Sequence, residues 1–220
     1  MQKSANSIFI LLFIILSACN YGNNTSNLKK SLSVEKKVNI EKNIKKRIIN
    51  PSTNSEKSAN LWIDSYTYAK YYIEKDTRGF IDMTISRFIQ HTGGDSTMFI
   101  AVDKYFNNRD DYDYLSVKSA SEEDVFITTE NAIIIAFVTQ TREYGYISID
   151  GSSSSILSKD IIAESIDNGT SWKFADIGHL KYEGIENFYS KKDCELIHNH
   201  LAQNTNNKTL NISEVIYRKD

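Results

Sequence analysis

Ile8 to Leu16 is the longest uninterrupted apolar run in the chain, and it is too short for a permanent place in a membrane. A spanning helix needs about 20 apolar residues, and this run stops at Ser17. Lys3 puts one positive charge ahead of it, which completes the layout of an export signal. Once residues 1–18 are removed, about 200 residues remain, enough for one domain of ordinary size and additional tails.

The residues that end the signal, Leu16-Ser17-Ala18-Cys19, resemble the bacterial lipobox. The resemblance implies cleavage before Cys19, diacylglycerol on its thiol and a lipid anchor in a membrane of the cell envelope. Three acyl chains, at roughly 0.8 kcal/mol for each buried CH₂, make release negligible. Asn20 follows the cysteine, which in Gram-negative lipoproteins implies the periplasmic side of the outer membrane. The chain has two cysteines, so lipid on Cys19 leaves Cys194 without a disulfide partner. The domain then relies on its hydrophobic core alone.

Charge divides the exported part. Asn20 to Asn60 carries nine Lys/Arg against three Glu, whereas the chain from Leu61 onward carries sixteen against twenty-five Asp/Glu. Residues 19–58 are rich in Asn, Ser and Lys and poor in large apolar side chains, so they cannot bury enough surface to offset chain entropy. They read as a disordered basic tether, about 35 Å in root-mean-square reach. The acidic balance of the folded part repels phosphate, so nucleic acid is not an expected partner.

Leu61, Trp62, Ser65, Ala69, Tyr72 and Ile73 recur at helical spacing and predict an amphipathic helix over Asn60 to Lys75. Asp76 is the expected N-cap of a second helix carrying Phe80, Met83, Thr84, Arg87 and Phe88. Gly93-Gly94 is expected to close it, and Asp95 or Ser96 to open a third. Short runs rich in β-branched and aromatic residues follow at 112–117, 124–129, 132–140, 144–149, 154–166 and 171–177, and these predict strands. Asn168-Gly169 predicts a tight hairpin between the last two, with Trp172, Phe174 and Asp176 on one face, turned to the helices. The expected domain covers residues 59–190, and residues 191–220 are expected to form a helix and a loose polar tail.

Helices followed by an antiparallel sheet make an α+β order. Tyr72, Asp76, Phe80 with Asp82-Met83-Thr84, Gly93-Gly94, Asp167-Asn168-Gly169 and Trp172-Lys173-Phe174-Ala175-Asp176-Ile177 together resemble small exported proteins of the nuclear transport factor two-like group. The resemblance implies N-terminal helices packed in a curved antiparallel sheet, a cone with an internal cavity, and often a homodimer through the exposed sheet. Ile85-Ser86 departs from the aromatic and proline that often follow the threonine in that group. Fold alone does not assign function.

Three roles follow. A non-enzymatic envelope lipoprotein would hold a small apolar ligand in the cone, or dock a protein partner. A cone-fold isomerase or dehydratase would need a cavity acid beside a tyrosine hydroxyl; Asp176 and Tyr72 are the residues for either interior role, with Tyr66, Tyr68, Tyr112, Tyr114, Tyr144 and Tyr146 also within reach of a cavity. An immunity or inhibitor lipoprotein would use its acidic face against a basic toxin. Cys194, His198 and His200 fall short of the four ligands of a closed zinc site, and His91 and His179 stand alone. No phosphate-binding glycine loop occurs, so neither metal nor cofactor is expected. The first of the three roles fits the anchor and tether best.

Overall fold

A computed structural model describes residues 46–109, 112–122, 125–148, 151–177, 182–202 and 210–218. The signal, Cys19 and most of the tether lie outside these residues, as does His179. The chain folds as a mixed α+β structure on one antiparallel sheet. No helix among the described residues is long and apolar enough to cross a membrane.

Helix α1, Asn54–Glu74, begins six residues before the expected start. Thr53 caps it: its hydroxyl accepts from the Glu56 amide at 3.2 Å, and the Glu56 carboxylate accepts from the Thr53 amide at 3.0 Å. This reciprocal capping box is a strong helix start, so Thr53 to Lys57 belong to the fold rather than to the tether. Arg47 and Ile48 are also bound to α1, through Asp64 and Asn60 respectively. Leu61, Tyr68, Ala69, Tyr72 and Ile73 form the helix's buried stripe. It ends at Lys75 in the left-handed conformation.

The second expected helix is two: α2, Thr77–Asp82, capped by Asp76, and α3, Ser86–His91. Between them the backbone turns aside to join the sheet: the Phe174 amide donates to Met83 O at 2.8 Å and the Ile85 amide to Phe174 O at 3.0 Å. Gly93 and Gly94 both have positive φ (101° and 93°), a conformation glycine adopts without Cβ strain, and Gly94 is the N-cap of α4, Asp95–Asn107.

The strands are β1 (Tyr114–Glu122), β2 (Ile127–Thr128), β3 (Ile134–Ser148), β4 (Gly151–Ser165), β5 (Lys173–Asp176) and β6 (Leu210–Arg218), in the order β5-β4-β3-β1-β6, with β2 also pairing β3. Two expected strands, 132–140 and 144–149, are one. The polar residues between them continue the alternation of Val138, Gln140, Arg142 and Tyr144 instead of turning the chain. The Asn168-Gly169 turn has the expected positive φ angles (57° and 86°), yet β4 and β5 pair only from Glu164 opposite Lys173. The connection is therefore a longer loop, held by Asp167, whose carboxylate accepts from the Ser171 amide at 2.9 Å and from the Ser165 hydroxyl at 2.7 Å.

The end of the chain is the largest departure from expectation. Residues expected to trail loosely form β6, paired along all of β1 and crossed by α1, whose Trp62 indole donates to Ile212 O at 2.6 Å. Ile212, Val215, Ile216 and Tyr217 supply the β-branched and aromatic content that the Asn-rich residues just before them conceal. Helices α5, Tyr182–Ile185, and α6, Lys191–Ala202, cover part of the sheet's second face, burying Ile185, Cys194 and Ile197 against Ile135, Ile162 and Ala175. The sheet therefore lies between two helical layers, with α1, α2 and α4 on the other side and α3 at the margin, its Ile89 in that core and its Phe88 stacked on Phe188 of the outer layer.

Candidate interior polar site

The face of the sheet toward α1 divides along its strands. At one end Leu61, Val138, Ile161, Trp172 and Phe174 are packed together, with Tyr68 stacked on Phe80 (centroids 4.6 Å apart) and on Phe174 (4.9 Å). This end is a filled aromatic core. At the other end the inward positions turn polar. Ser119, Gln140 and Lys159 stand opposite one another on β1, β3 and β4, and all three are buried. Lys159 is paired with Asp176 at 3.1 Å. Two residues further along β3, Arg142 is 6 % exposed and donates through Nε to Gln140 Oε1 at 2.8 Å.

Above Arg142 sits a group of tyrosines. The Arg142 guanidinium carbon lies 3.8 Å from the centroid of the Tyr72 ring, a close cation–π contact. The Tyr72 hydroxyl is 2.9 Å from that of Tyr105 and 3.0 Å from that of Tyr144. Tyr112 packs on Tyr144 and Tyr146, with centroids 4.6 and 5.2 Å away; Tyr105, Tyr112 and Tyr146 are half-buried and form the outer side of the group. A second guanidinium, Arg109, lies 4.8 Å from the Tyr72 ring, donating to the carbonyls of Tyr72 (2.7 Å) and Ile73 (3.0 Å). It thereby satisfies acceptors that the end of α1 leaves open.

The charges act on the hydroxyls unequally. Burial alone would raise the pKa of Tyr72, but Arg142, Arg109 and the hydrogen bonds of Tyr105 and Tyr144 outweigh it and bring it down to about 8. Burial raises Tyr105, Tyr112 and Tyr144. Tyr72 is therefore the one hydroxyl of the group poised to ionise, since anion formation there is offset by two cations and two donors.

Of the residues singled out in the sequence, Tyr72, Tyr112, Tyr144 and Tyr146 come together here. Tyr66 stacks on Trp62 elsewhere on α1, and Tyr68 belongs to the filled core. Asp176 faces inward as its register with Phe174 required, but Lys159 holds it; its charge reaches Arg142 electrostatically. No carboxylate or histidine among the described residues hydrogen-bonds to Tyr72, whose hydroxyl partners are Tyr105 and Tyr144. Arg142, Arg109 and Tyr105 escaped the sequence reading. Arg142 lies in the gap between the expected strands 132–140 and 144–149; the signal that exposes it is its place in the period-two series with Gln140 and Tyr144.

Two other clusters take structural roles. Glu164, 5 % exposed, accepts from the Tyr189 hydroxyl and from Arg87 Nη2 at 3.0 Å, joining α3 to the outer layer. Burial raises its pKa, against the pull of Tyr189 and Arg87. Cys194, expected on a surface helix, is fully buried with its thiol directed to Tyr189 O, 3.7 Å away, while the His200 ring stacks on Phe137 at 4.4 Å. No group of three His, Cys, Asp or Glu among the described residues is arranged to hold a metal ion. A cleft of about 420 Å³, lined by Arg78, Asp82, Ser86, Gln90 and Lys173 among others, opens on the surface between the short helices and β5, away from the tyrosines.

A buried guanidinium among tyrosine hydroxyls has the chemistry to meet an oxygen-rich group; among the described residues here, no carboxylate or histidine hydrogen-bonds to the Tyr72 hydroxyl. No family model matches the chain, and none of the curated proteins or solved structures compared with it is similar.

Proposed function

We propose that this chain is an envelope lipoprotein, anchored by lipid on Cys19, whose folded part is a cone of the nuclear transport factor two-like kind that binds a small amphipathic ligand without transforming it. The observation that supports ligand binding is Arg142: its charge is buried among rings and hydroxyls, and no ion pair among the described residues includes it. Burying an unpaired charge is costly to a fold, and ligand binding is a reason to retain it. In this reading residues 19–45 are the tether, the membrane is reached through the anchor, and the surface is left for any partner.

The experiment has two parts. Expression of the full chain in a bacterial host with labelled palmitate should mark the wild type and leave Cys19→Ala unlabelled; an unlabelled wild type would remove the anchor from the account. Purified protein should protect Tyr112 and Tyr146 from iodination when a ligand is added, and no protection across a broad set of small amphipathic molecules would remove the binding role.

A second reading, a cone-fold enzyme, draws on the Tyr72 hydroxyl alone, flanked by two others and poised to ionise near pH 8. Among the described residues its hydrogen-bond partners are hydroxyls rather than a carboxylate or histidine, so the binding role is the one put forward.

A further inference from the structure

We infer that the interior site is built for one carboxylate on a short apolar body, with Arg142 and one free hydroxyl proton of the Tyr72, Tyr105 and Tyr144 cluster meeting the carboxylate. The inference rests on the ligand-binding role proposed above and names its chemical class.

The charge count around the site selects a monoanion. Three cations stand near Tyr72: Arg142, Arg109 and, one register row away, Lys159. Lys159 is matched by Asp176 at 3.1 Å. Arg109 spends both Nη groups on backbone carbonyls at 2.7 and 3.0 Å. Arg142 alone combines deep burial, contact with the tyrosines and no ion-pair partner among the described residues. One guanidinium matches the single charge and planar fork of a carboxylate; a phosphate dianion would leave one charge uncompensated in a buried site.

The hydroxyls supply direction. The Tyr72 hydroxyl is linked to those of Tyr105 and Tyr144 at 2.9 and 3.0 Å; two of the three protons make these links, and the third is free to donate to an acceptor oxygen at the cluster. The neighbouring side chains are largely apolar and partly exposed: Tyr112, Tyr146, Leu157 and Val215 pack around the same core without being fully buried. A ligand entering between them would place its carboxylate on Arg142 and its hydrocarbon against these side chains, which is why the body must be apolar and short. A neutral alcohol of the same shape would keep the apolar contacts and lose the charge-assisted bond.

The test is isothermal titration of the purified full chain with 3-phenylpropanoate and, separately, 3-phenylpropan-1-ol at pH 7. The expected result is that the carboxylate binds at least tenfold more tightly than the alcohol. Arg142→Met should abolish that preference while leaving alcohol binding in place, and Tyr105→Phe with Tyr144→Phe should reduce it several-fold should Arg142→Met fail to fold. Equal affinity for acid and alcohol, or a preference untouched by both sets of changes, would overturn the carboxylate assignment and leave an apolar-ligand role standing. Binding of neither probe, with an unchanged tyrosine spectrum, would overturn both.

Discussion

Tyr72 concentrates the physical chemistry of this molecule. An unfolded tyrosine titrates near pH 10, and in the fold Arg142, Arg109 and two hydroxyl donors bring Tyr72 to about 8. A depressed pKa on an acid contributes stability that is fully present above the unfolded value and is lost as pH falls through the folded value. Between pH 8 and 10 the unfolded state binds the extra proton, so stability rises with pH. Two pH units correspond to roughly 2–3 kcal/mol. Urea unfolding at pH 7 and pH 10 should show the stability of wild type relative to Tyr72→Phe rising by that amount, since the tyrosines that burial raises lower the stability of both proteins over the same range, accompanied by phenolate absorbance growing in near pH 8. Asp64 is the second decisive residue. Only 3 % exposed, it accepts from Arg47 and from the Trp172 amide at 2.9 Å, pinning the β4–β5 loop to α1. Asp64→Ala leaves a buried N–H without an acceptor, and a loss of about 2–3 kcal/mol is expected in chemical denaturation.

Among the elements, β6 separates the observed fold from the one expected of the sequence. It covers the outer edge of β1 over its whole length and gives Trp62 its acceptor. Ending the chain before Leu210 would uncover β1 as a long edge strand, a site for aggregation, so a lower melting temperature and aggregation on gel filtration are expected; a loose tail would have been lost without effect. The long helix, the Asp76 cap, the Gly93-Gly94 junction and the inward face of Trp172 and Phe174 were legible because each rests on local rules: periodicity, capping and positive φ. Other features were not legible because contacts distant in sequence decide them. The single β3 depends on its pairing with β1 and β4, the break at Thr84 depends on β5, and β6 depends on β1. The capping box Thr53-x-x-Glu56 was readable, but the polar composition around it pointed to a tether.

For the whole molecule, the interior divides into a filled aromatic half that holds α1 to the sheet and a polar half around Arg142. The first supplies burial, the dominant favourable contribution to folding; the second costs stability unless it is used. Only half of the candidate site was legible for the same reason: tyrosines announce themselves by number, whereas the cations that give them a role are scattered over β3 and the end of α4. The central claim is that Arg142 is retained for a ligand and not for the fold. Chemical denaturation of Arg142→Met at pH 7 tests it most directly, since this change removes a buried charge and leaves no bare counter-charge behind. Stability is expected within about 1 kcal/mol of wild type, or higher by about 1–3 kcal/mol, because relief of the buried charge offsets the hydrogen bonds to Gln140 and Tyr144 and the cation–π contact with Tyr72 that are lost. A loss of more than about 2 kcal/mol would make Arg142 a structural group and would contradict the account.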